Sequence, residues 1–94
     1  MSLGEIRAAV SSSCGNYPAN ACYLFESYAK GRATKDSDVD LTLVSALEGI
    51  EHYEFLGLLE EKLGKRADLI RLETAIQNVK LMNKILKDGV KVCG

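Results

Sequence analysis

The sequence predicts an α+β domain in which a small mixed β-sheet is flanked by helices. Two apolar runs of strand length, residues 21–25 and 38–44, lie on either side of a short polar segment. Before and after them, apolar residues recur at spacings of three and four, the period of amphipathic helices. A chain of 94 residues with 47% hydrophobic content buries one small core, so we expect a single domain over residues 1–94.

The N-terminal segment predicts a helix followed by a buried strand. Leu3, Ile6 and Val10 lie at helical spacing and predict a short amphipathic helix over residues 3–12. Serines and a glycine then mark a turn. The run over residues 21–25 is continuously apolar, which is typical of a central strand with both faces buried.

The second strand carries two carboxylates. Within residues 38–44, Asp38 and Asp40 share one face and leucines and a valine share the other, because strand side chains alternate with period two. Carboxylates about 6.5–7 Å apart repel each other unless a positive charge lies between them. Mg²⁺ prefers such oxygen ligands and fills its other positions with water and phosphate oxygens. The pattern therefore favours phosphoryl or nucleotidyl transfer.

The polar segment between the strands is the candidate phosphate site. Residues 27–31 predict a tight turn or one short helical turn, opened by Ser27, whose hydroxyl and neighbouring N–H groups suit an anion. Lys30, Arg32 and Lys35 follow. Each of these three is as readily a solvated loop residue as a phosphate ligand.

The next segment predicts a helix over residues 48–64, capped by Ser45 and ended by Gly64. Its expected buried stripe consists of Tyr53, Leu56, Leu59 and Leu63, widened by Phe55 and Leu58. A third strand over residues 67–72 follows, with Asp68 at its start. Judged by itself, an Asp there is more often a turn or cap residue than part of a site.

The C-terminal segment predicts one more helix and a short extended end. Apolar residues at helical spacing predict a helix over residues 74–87, ended by Gly89. Residues 90–93 are either a short edge strand or a tail that docks on a partner.

Charge and cysteine content limit the function. The net charge of -1 and a pI near 5.8 provide no broad basic surface, which disfavours a polymerase acting on long polynucleotides. Three cysteines without a C-x-x-C pair fit neither a disulfide framework nor a zinc site, and Cys22 is most simply a buried small hydrophobe. Signal-peptide and membrane-spanning patterns are missing. We therefore expect a soluble, cytoplasmic protein.

The segment around the two strands resembles the nucleotidyltransferase superfamily of DNA polymerase β, whose signature is Gly-Ser, about ten residues, then Asp-x-Asp. Residues 24–44 read LFESYAKGRATKDSDVDLTLV. This is similar to the LFGSYARG and SDxDL segments of the minimal nucleotidyltransferases (MNT) of bacteria and archaea. The resemblance continues through GKRADLIRL and ILKDGVKV and departs at Glu26, where the family has Gly.

The resemblance implies a polymerase β-like nucleotidyltransferase fold and nucleotidyl transfer from ATP with two Mg²⁺ ions. Six residues match the family's functional positions: the catalytic and metal-binding Asp38, Asp40 and Asp68, and the nucleotide-binding Glu26, Ser27 and Lys30. Asp68 is the implied third carboxylate on a neighbouring strand, and it also helps to activate the attacking hydroxyl. Lys30 matches the Arg of the family's SYARG segment.

The resemblance also implies a partner. Members of the minimal family often work beside a helical HEPN-type protein, and some are antitoxins that adenylylate a HEPN ribonuclease. The leading hypothesis is therefore a Mg²⁺-dependent nucleotidyltransferase that transfers adenylyl from ATP to a protein hydroxyl, as the antitoxin of a HEPN/MNT toxin–antitoxin pair. The sequence leaves the acceptor, the base specificity and the oligomeric state open, a homodimer included.

Glu26 supports an alternative. Gly tolerates positive φ and lets the backbone approach a phosphate, whereas Glu adds bulk and a negative charge. We expect Glu26 to weaken or abolish nucleotide binding. The alternative is a degenerate nucleotidyltransferase-fold module that neutralises its partner by contact, and a purely structural cation site is a third hypothesis.

Overall fold

A computed structural model describes residues 1–17, 19–45 and 47–94, which form four strands and four helices. In chain order the elements are α1 (Leu3–Cys14), β1 (Ala19–Phe25), β2 (Val39–Ser45), α2 (Ile50–Leu63), β3 (Ala67–Arg71), α3 (Leu72–Ala75), α4 (Val79–Asp88) and β4 (Val90–Cys93).

The four strands form one mixed sheet in the order β3-β2-β1-β4. β1 is antiparallel to both of its neighbours, and β2 is parallel to β3. The predicted α+β class with a mixed sheet is confirmed, and β1 has the central position that its continuous apolar run predicts. β4 is an edge strand, so of the two alternatives for residues 90–93 the structure has the short edge strand and not the docking tail.

Helices cover both faces of the sheet. The larger cluster packs α1 and α2 against one face and includes Ile6, Val10, Leu24, Leu41, Phe55 and Leu59. The smaller cluster joins Phe25 to Ala75 of α3 and Ile85 of α4 on the other face. Val39, Leu41 and Leu43 of β2 are fully buried, as the predicted alternation requires, but Thr42 on the opposite face of the strand is fully buried too.

The start of α2 differs from the prediction. Gly49 precedes the helix and makes no side-chain cap. Ser45 ends β2 instead, and its Oγ accepts a hydrogen bond from the N–H of Leu47 at 3.1 Å, before the helix begins. Tyr53 is 72% exposed, which removes it from the predicted buried stripe. Gly64 ends α2 with φ of +71°, as predicted.

The predicted helix over residues 74–87 is two helices. Asn78 interrupts it, because its side chain accepts a hydrogen bond from the N–H of Leu81 at 3.1 Å and so caps a new helix. α4 then runs to Asp88 and ends at Gly89, whose N–H donates to the Ile85 carbonyl at 2.8 Å. This break separates α3 from α4.

The cysteines correct a further expectation. Cys14 and Cys93 form a disulfide that joins the end of α1 to β4, across a sequence separation of 79 residues. The packing of α1 beside the edge strand brings the two together, and their sequence spacing carries no sign of it. Cys22 is free and buried, as expected, and burial raises the pKa of its thiol to about 12. None of the helices in the described ranges is long and apolar enough to span a bilayer.

Candidate functional site

Two carboxylates meet across neighbouring strands. In the parallel pairing of β2 with β3, Asp40 lies directly opposite Asp68. Paired residues of adjacent strands point to the same face, and the strands lie about 4.8 Å apart. Asp38 directly precedes β2 and is exposed, as is Asp68, whereas Asp40 is half-buried. The structure therefore sets Asp40 opposite Asp68, while Asp38 lies exposed just before β2.

These carboxylates shift the ionisation of Asp40. Its pKa is raised to about 6, first because burial penalises the charged form and then because Asp68, Glu26 and Asp38 repel a further negative charge. A hydrogen bond between the Asp40 and Asp68 side chains raises the pKa further. Three acidic neighbours thus act on Asp40 at this end of the sheet, which favours a cation beside it.

The donor set fits a divalent cation by its chemistry. Carboxylate oxygens are the hard ligands that Mg²⁺ prefers, and Asp40 and Asp68 present theirs side by side. Within residues 1–17, 19–45 and 47–94, however, no three Cys, His, Asp or Glu side chains converge as ligands of one metal ion. Asp38 would therefore have to turn inward to serve as a third ligand.

The turn after β1 lies next to the carboxylates. Phe25 pairs with Asp40 across β1 and β2, so Glu26 emerges beside the cluster. The turn is closed by hydrogen bonds from the Lys30 N–H to the Glu26 carbonyl at 3.0 Å and from the Arg32 N–H to the Ser27 carbonyl at 2.9 Å. This closure matches the predicted tight turn.

Glu26 has a backbone conformation that suits glycine. Its φ is +62°, in the left-handed region, where a residue with a Cβ costs roughly 1–2 kcal/mol. The Gly of the resembled family thus suits this position for two reasons: it adopts the positive φ without cost, and it has no side chain to obstruct a phosphate. In this chain the turn keeps that conformation although the residue is Glu.

Two ion pairs join the turn to α4. Lys84 Nζ lies 2.8 Å from Glu26 Oε1, and Lys30 Nζ lies 3.6 Å from Asp88 Oδ2. The hydrogen bond and charge of Glu26 raise the pKa of Lys84. No local spacing in the sequence points to Lys84, because its partner Glu26 is far away along the chain. Lys30, the candidate phosphate ligand, is engaged by Asp88 in this structure.

A second missed residue, Lys65, supports the turn and the loop after it. Its Nζ donates hydrogen bonds to Tyr28 Oη and, at 3.3 Å, to the Lys35 carbonyl. The same ammonium group lies 4.8 Å from the centre of the Tyr28 ring, within the range of a cation–π contact. Arg32 and Lys35 themselves are exposed.

Comparison with known families identifies the fold. The family model described as polymerase beta, nucleotidyltransferase matches residues 11–94. The chain belongs to this nucleotidyltransferase family. The resemblance noted in the sequence and the polymerase β-like fold are thereby confirmed, while the roles of the individual site residues remain predictions.

Solved structures similar to this nucleotidyltransferase include minimal family members. A candidate minimal nucleotidyltransferase is 30% identical with a TM-score of 0.76, and the match covers 96% of this chain and 95% of that one. A chain of a toxin–antitoxin structure with AMP-PNP is 25% identical with a TM-score of 0.76, covering 98% and 74%. In the Shewanella oneidensis complex of a tri-AMPylated HEPN toxin with its MNT antitoxin, a chain is 25% identical with a TM-score of 0.59, covering 82% and 58%. Comparison with curated proteins finds no significant match.

Proposed function

We propose that this nucleotidyltransferase moves an adenylyl group from ATP to a hydroxyl of a protein partner, with Mg²⁺ held by Asp38, Asp40 and Asp68. The observation that carries the proposal is the register of β2 and β3, which sets Asp40 opposite Asp68 beside the turn that follows β1. A fold module without transfer chemistry has no need for mutually repelling carboxylates at this point.

Each part of the site has a role in this reaction. Bound Mg²⁺, for which we expect two ions, would neutralise charge on the triphosphate and on the leaving pyrophosphate. Asp68 would accept the proton of the attacking hydroxyl, whose oxygen forms a bond to the α-phosphorus as the bond to pyrophosphate breaks. The Ser27 hydroxyl and the N–H groups of the turn would bind phosphate oxygens, and Lys30 would exchange Asp88 for a phosphate.

The partner we propose is a HEPN-type toxin. Support comes from the similar structures, of which one is a toxin–antitoxin structure with AMP-PNP and another contains a tri-AMPylated HEPN toxin with an MNT antitoxin. The reaction would take place in the cytoplasm, where ATP and Mg²⁺ are abundant.

Calorimetric titration of ATP in the presence of Mg²⁺ tests the nucleotide site. We expect metal-dependent binding that is lost in the double variant Asp38→Asn/Asp40→Asn. Asp36→Asn is the matched control, because Asp36 is an exposed acidic residue of the preceding loop. Unchanged binding in the double variant would place the nucleotide elsewhere and contradict the proposal.

Glu26 favours a second candidate, a degenerate module that neutralises its partner by contact alone. Its carboxylate adds negative charge beside Asp40, at a turn where the resembled family has Gly. The two functions differ in one measurement, the inhibition of a HEPN ribonuclease by Asp38→Asn/Asp40→Asn. Full inhibition without label transfer from [α-³²P]ATP would support the contact module, and loss of inhibition would support the enzyme.

A further inference from the structure

The Glu26 carboxylate is an obstacle for any nucleotide that binds at the turn. Glu26 follows Phe25, which pairs with Asp40, so its negative charge adds to a site that is already acidic. A triphosphate brought to the same place would meet further like charge. A site that still binds nucleotide therefore needs a positive group next to Glu26.

Lys84 supplies that positive group. Its Nζ lies 2.8 Å from Glu26 Oε1, the distance of a charge-assisted hydrogen bond. The Glu26 side chain is 27% exposed and that of Lys84 is 52% exposed, so the pair lies at the rim of the site with access to water. The contact draws the carboxylate towards α4.

The position of Lys84 is set by its helix. The next residue, Ile85, is buried in the cluster that also contains Phe25, the residue before Glu26. One helical turn further on, Asp88 pairs with Lys30 of the same turn at 3.6 Å. A buried contact and two ion pairs thus join α4 to the turn. In one ion pair the lysine belongs to α4, and in the other it belongs to the turn.

We propose that Lys84 is a positioning residue of the nucleotide site, which neutralises Glu26 and holds its carboxylate towards α4 so that the turn accepts the triphosphate of a Mg²⁺-bound nucleotide. This rests on the proposed function. Lys84 acts through Glu26 and does not itself contact phosphate. The pair replaces what Gly provides elsewhere in the family, a turn without negative charge.

A double-mutant cycle tests the assignment. The dissociation constant of Mg²⁺–ATP is measured by calorimetry for the wild type, Lys84→Met, Glu26→Gly and the double variant. We expect Lys84→Met to weaken binding about tenfold in the wild-type chain and less than about twofold in the Glu26→Gly chain. Glu26→Gly alone should tighten binding a few-fold, because the pair neutralises the carboxylate incompletely.

Two further variants distinguish charge from packing. Lys84→Arg keeps the cation and should restore binding to within about twofold of the wild type. Lys80→Met removes an exposed cation of the same helix and should have no effect. Thermal unfolding of each variant checks the fold, and Lys84→Gln replaces Lys84→Met if the latter does not fold.

The outcomes separate this inference from the proposed function. If Lys84→Met lowered the affinity for Mg²⁺–ATP equally in the wild-type and the Glu26→Gly chains, Lys84 would contact the phosphates directly. This result would overturn the positioning role. Unchanged binding by Lys84→Met would overturn it too, as would binding by Glu26→Gly but not by the wild type. If neither the wild type nor Glu26→Gly bound nucleotide, the proposed function would fail, and the inference with it.

Discussion

The two halves of the candidate site are held in place by different means. Asp40 and Asp68 lie on paired strands, so backbone hydrogen bonds along β2 and β3 set their separation. The turn that starts at Glu26 is closed by its own backbone hydrogen bonds and is also joined by ion pairs to a distant helix, through Lys84 and Asp88. The register of two paired strands does not depend on the side chains that it positions, whereas an ion pair is lost when either of its two residues is substituted. Substitution in the acidic half should therefore change the chemistry more than the fold, and substitution at the turn should act through its ion pairs with α4.

The largest effect is expected in the acidic half. Asp68→Asn keeps the shape of the side chain and the register of β3 but removes a metal ligand and proton acceptor, so the rate of adenylyl transfer should fall by about 10²–10³-fold. Transfer of label from [α-³²P]ATP to a purified HEPN partner measures it. Asp36→Asn, in the adjacent loop, should keep full activity, and a comparable loss there would show that general surface charge is responsible.

The docking of α4 is the next test, because it supports the turn. Ile85→Ala leaves a cavity beside Phe25 and should lower the free energy of unfolding by about 2 kcal/mol, at the low end for such substitutions because the cluster is small. Leu86→Ala is the matched control on the same helix, since Leu86 is 76% exposed. Urea unfolding measures both variants. Equal effects would mean that α4 does not dock as the structure shows.

The raised pKa of Asp40 predicts a stabilising substitution. Folding raises the pKa from 3.8 to about 6, so the charged group opposes folding above pH 6, and this penalty disappears as the pH falls towards 4. Asp40→Asn should therefore stabilise the metal-free protein at pH 7 by about 1 kcal/mol. This is well below the free energy that corresponds to the full pKa shift, because the carboxyl group is half exposed. Thermal unfolding at pH 7 and pH 4 measures this stabilisation. An equal gain in stability at both pH values would show that the ionisation of Asp40 is not its cause.

The smallest effect concerns the backbone of the turn. Glu26→Gly relieves the left-handed conformation but loses the contact with Lys84, and the two changes oppose each other. We expect a shift in Tm of less than about 3 °C. Glu26→Asn is the comparison, because Asn tolerates positive φ better than other residues with a side chain. A large loss of stability in both variants would mean that Glu26 holds the turn by more than its ion pair.

The fold was largely predictable because its patterns are local. The alternation along residues 38–44 and the apolar run over residues 21–25 each identify a strand by period and length alone. The errors occurred where a side chain competes with a pattern. Asn78 caps a new helix inside a continuous apolar period, and the Ser45 hydroxyl accepts from the Leu47 N–H rather than from the following helix.

The sequence by itself determined the turn, the Asp-x-Asp strand and, through the resemblance, the family, because these depend on neighbours within a few residues. Only the tertiary structure decided the pairing of Asp40 with Asp68, the disulfide between Cys14 and Cys93, and the contact of Lys84 with Glu26. Each of these contacts joins residues that are far apart along the chain. Such distances are set by sheet register and helix packing, which no local period encodes.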